Sequence, residues 1–184
     1  MKAIIVHGAY GSPQENWFPW LKGELEKSGF EVAVPEFPTP KGQSLGNWMK
    51  VLGEYEGWFG EDLVLVGHSI GPALILRKLE MMEKPVKAAF LVAGFARQIG
   101  DERFDKINAT FFGKEFDWKK IRENCGHFEV FHSDNDPYVP QKFGQELAEK
   151  LGVSLFLVKD AGHFNRAAGY LGFPLLLERI RGLG

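Results

Sequence analysis

The residues whose types and spacing most directly suggest chemistry are Gly67-His68-Ser69-Ile70-Gly71, a G-x-S-x-G pattern. An apolar run, Leu63-Val64-Leu65-Val66, precedes it, and a helix-compatible run, Ala73-Leu74-Ile75-Leu76, follows. A sharp turn from strand to helix lifts a serine hydroxyl above the edge of a sheet. Glycines two before and two after the serine let neighbouring backbone approach without a Cβ clash. Pro72 falls in the first helical turn, where a missing N–H costs little. The helix start then aims free N–H groups at the site, and the Ile70 N–H is one candidate oxyanion donor.

A serine hydroxyl is a weak nucleophile until a base takes its proton, and histidine suits that role near neutral pH. Of the five histidines, His163 lies late, in Asp160-Ala161-Gly162-His163-Phe164, just past the apolar run 153–158. Where the nucleophile sits on such a turn, the chain order is serine, acid, histidine. His7, His68, His127 and His132 read more simply as locally hydrogen-bonded or solvated side chains. The acid then belongs in Phe131-His132-Ser133-Asp134-Asn135-Asp136-Pro137-Tyr138-Val139-Pro140. Asp136 is favoured, with Asp134 as the alternative, and a turn-forming role is open to either. The acid would fix the histidine tautomer and stabilise the imidazolium. A second oxyanion N–H is expected from Ala9 or Tyr10 in the glycine-rich turn 7–13, which lacks the G-K-[ST] ending of a phosphate loop.

Six short apolar runs must position these groups: 3–6, 30–34, 63–66, 86–92, 127–132 and 153–158. Longer amphipathic segments alternate with them, at 17–27, 45–58, 70–82, 141–151 and 174–180. Strands apolar on both faces, alternating with helices, predict a mostly parallel sheet of about six strands with five or six helices on its two faces. Residues 95–118 are irregular and aromatic. They read equally as a short lid over the carboxyl ends of the strands or as aromatics packed on the core. Tyr10, Trp17, Phe111 and Phe112 are candidate substrate-binding residues in an apolar acyl pocket, although core packing would use the same residue types.

The 184 residues fit one domain, 1–184. A net charge of −2 supplies no single-sign field for nucleic acid or an anionic membrane. The single cysteine, Cys125, allows no internal disulfide and suits a reducing compartment. No apolar stretch approaches a bilayer span, so a soluble, cytoplasmic protein is expected. No His/Cys/Asp/Glu cluster has metal-ligand spacing, so neither a metal nor another cofactor is expected.

The chain resembles the small serine hydrolases of the retinoblastoma-binding, YdeN-like type, nearly end to end. The likeness rests on His7-Gly8, Asn16-Trp17-Phe18-Pro19-Trp20-Leu21, Phe37-Pro38-Thr39-Pro40 with Trp48, and the turn around Ser69. It continues through Asp136-Pro137-Tyr138-Val139-Pro140, Gly162-His163-Phe164-Asn165, and Gly169-Tyr170 to Phe173-Pro174. That resemblance implies an α/β-hydrolase fold without a large cap domain, a triad of Ser69, Asp136 and His163, and modest activity on short acyl esters. No L-x-C-x-E sequence surrounds Cys125, so the retinoblastoma protein is not implied as a partner and no other protein partner is read. The leading expectation is a serine esterase acting on a small-molecule ester through an acyl-enzyme. The alternative is a binding or scaffold protein that carries an idle triad.

Overall fold

The computed structural model describes residues 1–183. Its elements run β1 (Lys2–Val6), α1 (Phe18–Lys27), β2 (Glu31–Ala33), α2 (Leu45–Gly53), β3 (Leu63–His68), α3 (Gly71–Leu79) and β4 (Ala88–Val92). Then follow α4 (Glu102–Asn108), α5 (Trp118–Glu123), β5 (Phe128–Ser133), α6 (Gln141–Leu151), β6 (Leu155–Val158) and α7 (Pro174–Arg181). The strands form one sheet in the order β2-β1-β3-β4-β5-β6, and every pairing is parallel.

Alternation along each strand divides the interior into two layers. Ile4, Val6, Leu63, Leu65, Ala89 and Leu91 face one layer with Trp48 and Leu52 of α2, the apolar side of α3, and Phe143 and Leu147 of α6. Their neighbours Ala3, Ile5, Val64, Val66, Ala88 and Phe90 face the other, covered by α1 and α7 through Phe18, Leu21, Leu25, Leu176 and Ile180. β3 is buried along its whole length, as a central parallel strand with helices on both faces must be. This is the small α/β-hydrolase architecture.

The sheet order reverses between β1 and β3, since the chain leaves β1 for β2 on one side and later returns to β3 on the other. Open α/β sheets hold ligands in the crevice outside such a switch point. Val6 pairs with Gly67 and His68 with Val92, so the loops leaving β1 and β3 open at one level of the sheet.

The helices depart from expectation in two places. The segment expected to be helical over 45–58 ends as α2 at Gly53 and resumes as a 3-10 turn, Glu56–Trp58, a break consistent with the low helix propensity of glycine. The stretch 95–118 is not irregular. It contains α4 and the 3-10 turn Ala109–Phe112, and α5 starts at its end. Both added helices are capped by a preceding aspartate: Asp101 accepts from the Phe104 N–H and Asp117 from the Lys120 N–H. The aromatics of this stretch pack in sequence, Phe104 on Phe95, Phe95 on Phe112, Phe112 on Phe116 and Phe116 on Trp118. No helix among the described residues is long and apolar enough to cross a membrane.

Candidate active site

Ser69 follows β3 with a φ of 61°, a left-handed conformation that a residue with a Cβ rarely takes and that costs about 1–3 kcal/mol. The two elbow glycines show what makes the turn possible. A Cβ on Gly67 would sit 2.7 Å from the backbone nitrogen of Pro72, and one on Gly71 would sit 2.7 Å from the Val6 carbonyl oxygen. The elbow is therefore wedged between the start of α3 and the end of β1. The Ser69 N–H donates to the Val92 carbonyl at 2.9 Å, which anchors the turn to β4.

α3 begins immediately after Ile70, with Pro72 in its first turn. Among the described residues the N–H groups of Ile70 and Ala9 donate to no protein acceptor, whereas the Tyr10 N–H donates to the Thr39 hydroxyl at 2.7 Å. Tyr10 is thereby removed as an oxyanion donor, because its one backbone proton is already committed. Ala9 and Ile70 remain as the candidate pair.

Opposite Ser69 stands His163. Its Nδ1–H donates to Asp136 Oδ2 at 2.7 Å, which leaves the Nε2 edge free. The Asp136 side chain is fully buried, and its other oxygen accepts from the Tyr138 and Val139 N–H groups at 2.9 and 3.0 Å. Burial pushes the Asp136 carboxyl upward, but the hydrogen bond and charge of His163 and the two backbone N–H groups outweigh it. The carboxyl is held below its ordinary value. Asp134 does not reach His163; it accepts from the Asp160 N–H at 2.8 Å. The Ser69 hydroxyl makes no hydrogen bond to a protein group among the described residues. It shares one cavity with His163.

Three buried histidines support this frame. His7 donates from Nδ1 to the Gly8 carbonyl and accepts the Phe37 N–H at Nε2, fixing the loop after β1. His68, inside the elbow, donates from Nε2 to the His163 carbonyl at 2.8 Å and so ties the serine's turn to the histidine's loop. His132 donates to the Val139 carbonyl at 2.9 Å beneath Asp136. Burial lowers all three; for His68, burial and the neighbouring His163 charge push it down to about 3.

The cavity over Ser69 is about 550 Å³. Its wall includes Ala9, Tyr10, Ile99, Phe104, Tyr138 and Val139. Of the four aromatics expected there, only Tyr10 lines it. Trp17 is fully buried, its indole N–H donating to the Phe164 carbonyl at 2.9 Å. Phe111 is fully buried against Trp48. Phe112 lines a separate depression next to α5 and α6. An aromatic side chain near a loop signals burial as strongly as ligand contact, and here burial prevails in two of the three. Phe104 and Tyr138 were not singled out from the sequence. Phe104 follows the N-cap Asp101, a signal of helix start that would have placed α4 beside the site.

A profile of the serine hydrolase family matches residues 3–181. The chain is 33% identical over 180 residues to YdeN of Bacillus subtilis (strain 168), covering 96% of this chain and 93% of YdeN. It is 32% identical over 166 residues to the serine hydrolase RBBP9 of Rattus norvegicus, covering 89% and 87%. The crystal structure of the B. subtilis ydeN gene product superposes with a TM-score of 0.92 at 30% identity, over 99% of this chain and 97% of that one. Est1E from Butyrivibrio proteoclasticus, at 14% identity, shares the fold with a TM-score of 0.71 over 98% of this chain and 88% of its own. Placed on the elbow and the cavity above it, these likenesses agree across nearly the whole chain. It belongs to the serine hydrolase family of α/β-hydrolases.

Proposed function

We propose that this chain hydrolyses small carboxylic esters through an acyl-enzyme, with Ser69 as nucleophile, His163 as general base and Asp136 as the group that orients and charges His163. The observation that carries this reading is the 2.7 Å bond from His163 Nδ1 to a buried, doubly N–H-bonded Asp136, opening on the cavity of a left-handed Ser69. With Nδ1 committed, Nε2 is the atom that takes the Ser69 proton as Oγ attacks the ester carbonyl. The carbonyl oxygen turns toward the Ile70 and Ala9 N–H groups. The imidazolium then protonates the departing alcohol oxygen as the C–O bond breaks. A water molecule, deprotonated by the same Nε2, attacks the acyl carbonyl, and the imidazolium returns that proton to Ser69 Oγ as the acyl–Oγ bond breaks. Ile99, Phe104 and Val139 suit an apolar acyl group, and a cavity of about 550 Å³ suits a small one.

The test is labelling with a fluorophosphonate, adduct mapping by mass spectrometry, and a panel of esters of increasing acyl length. Adduct on Ser69, lost in Ser69→Ala and strongly slowed in His163→Ala, is the expected result. A folded wild-type chain that neither labels at Ser69 nor cleaves any ester of the panel would overturn the reading and favour a binding role on a hydrolase fold.

A further inference from the structure

Four consecutive residues at the end of β5 each hold one of four consecutive residues in the loop after β6. Ser133 Oγ accepts from the Ala161 N–H at 3.0 Å, Asp134 Oδ1 from the Asp160 N–H at 2.8 Å, and Asn135 Oδ1 from the Gly162 N–H at 2.7 Å. Asp136 Oδ2 takes the His163 Nδ1–H at 2.7 Å. Within the first strand-end loop, the Ser133 hydroxyl donates to Asn135 Oδ1 at 2.7 Å, which fixes its proton and presents its lone pair to Ala161. The loop held in this way is costly in itself. Asp160, Gly162 and Phe164 all have positive φ, at 55°, 53° and 47°. Gly162 takes this conformation freely, but the left-handed Asp160 and Phe164 on either side need external restraint to persist.

We infer that Ser133 and Asn135 are positioning residues for His163, setting the imidazole through the two peptide groups that precede it. The inference rests on the esterase reading for its kinetic consequence, though not for its geometry. Asp136 fixes the rotation and tautomer of the ring, and His68 Nε2 holds the His163 carbonyl on its far side. Neither bond restrains the peptide groups that precede the residue, which without other partners are free to shift. Ser133 and Asn135 remove that freedom at Ala161 and Gly162. A displacement of about 1 Å at a reacting group can cost about 100-fold in rate. Asp134 acts furthest from the ring, on Asp160, and its contribution is correspondingly the smallest of the four.

Asn135 is exposed, so its variants are the practical probe, read by the rate of fluorophosphonate labelling at Ser69 and by ester kinetics across pH. Asn135→Ala is expected to lower kcat and the labelling rate about 10- to 100-fold, an order set by that geometric sensitivity. KM is expected to change less than about twofold, as when an interaction matters only in the transition state. Asn135→Asp keeps the acceptor and adds charge near the imidazole, so it restores the rate at high pH while moving the rising limb of the pH profile upward. Wild-type rates and an unchanged limb in folded Asn135→Ala would overturn the inference. So would an Asn135→Asp chain no faster than Asn135→Ala at any pH. If wild type itself fails to label, the esterase reading falls separately, and the clasp is then judged by NMR titration of the His163 imidazole. A titration midpoint or line shape altered in Asn135→Ala supports it, and identical titrations overturn it.

Discussion

Two connections lie beside the cavity, and they are secured in opposite ways. The loop 160–166 carries His163 and is held by many separate groups: the four residues from Ser133 to Asp136, the imidazole of His68, the indole of Trp17, and Asn16, whose side chain accepts the Arg166 N–H. The excursion 95–118 carries Phe104; besides its buried aromatics and the bonds of Asn108 and Thr110 to the α2 side, one buried ion pair gathers much of its polar anchorage. Arg77, 2% exposed on α3, binds Glu80 at 3.0 Å and donates to the carbonyls of Phe111, Lys114 and Glu115, with its guanidinium 3.6 Å from the Phe116 ring. Glu80 in turn accepts the Asp117 N–H. Distributed hydrogen bonds define a position closely, and removing one loosens that position without releasing the segment. A buried pair concentrates several contacts in one side chain, and its loss removes them together and leaves Glu80 with a weaker, exposed partner in Lys114.

The largest effect that sharpens this contrast falls on Asp136, the member of the distributed set that bonds the His163 imidazole. Asp136→Asn is expected to lower kcat/KM about 10⁴-fold, by analogy with the orienting acid of other serine triads. Asp134→Asn should stay within about threefold, and parallel kinetics on the two variants decide between the carboxylates. Next comes the concentrated anchor. Arg77→Met should lose about 3 kcal/mol in urea unfolding, the low end for breaking a buried pair, because the buried Glu80 carboxylate then keeps only the exposed Lys114 ammonium at 3.5 Å and the Asp117 N–H. Hydrogen exchange should rise over 109–118 and remain low over 160–166. Equal exchange in both segments would erase the distinction.

Acid should separate the regions from the other side. His7, His68 and His132 are held neutral by burial in the frame around the cavity and the Asp136–His163 pair, whereas the excursion contains no histidine. A histidine with a lowered folded value gains its proton on unfolding, so the unfolded chain binds more protons below the ordinary value of 6.5. Stability is full above that value and falls as pH drops, by about 1.4 kcal/mol per pH unit for each group titrating in this way. For His68 the loss continues down to about 3. Asp136, lowered in the folded chain, adds a further loss only below the ordinary carboxylate value of 3.8. Urea midpoints measured from pH 8 to pH 4 should be level above 7 and then fall steeply, and a flat profile would refute the assignment. The smallest effect belongs to the cavity wall. Phe104→Ala should lower kcat/KM for longer acyl esters by about 10-fold and leave acetate esters nearly unchanged, since losing apolar contact is worth about 1–3 kcal/mol.

The sheet was legible because each strand is an apolar run between turn residues, and the elbow because strand, glycines and proline fall in order around Ser69. Asp136 and His163 followed from chain order, and the structure brings those two together. The helices α4 and α5 were not legible as such. Each is a turn or two long, and its aromatics are spent on neighbours within the excursion, so periodicity gave little while the caps Asp101 and Asp117 were the usable signal. Trp17 was misplaced because an indole suits a cavity wall and a buried hydrogen bond equally. The grip of Ser133 and Asn135 was invisible for a different reason. Serine and asparagine after a strand read as turn formers, and only the meeting of two loops 27 and 28 residues apart shows where their oxygens are used.

The bonds from Trp17 to Phe164 and from Asn16 to Arg166 join groups 147 and 150 positions apart along the chain. Contacts of such separation are slow to close and form when most of the intervening structure is already in place. Turnover of the proposed ester substrates would therefore be a late reporter of folding. In a refolding experiment, secondary structure should recover before activity, and the lag between the two measures how long the first and last thirds of the polypeptide take to find each other.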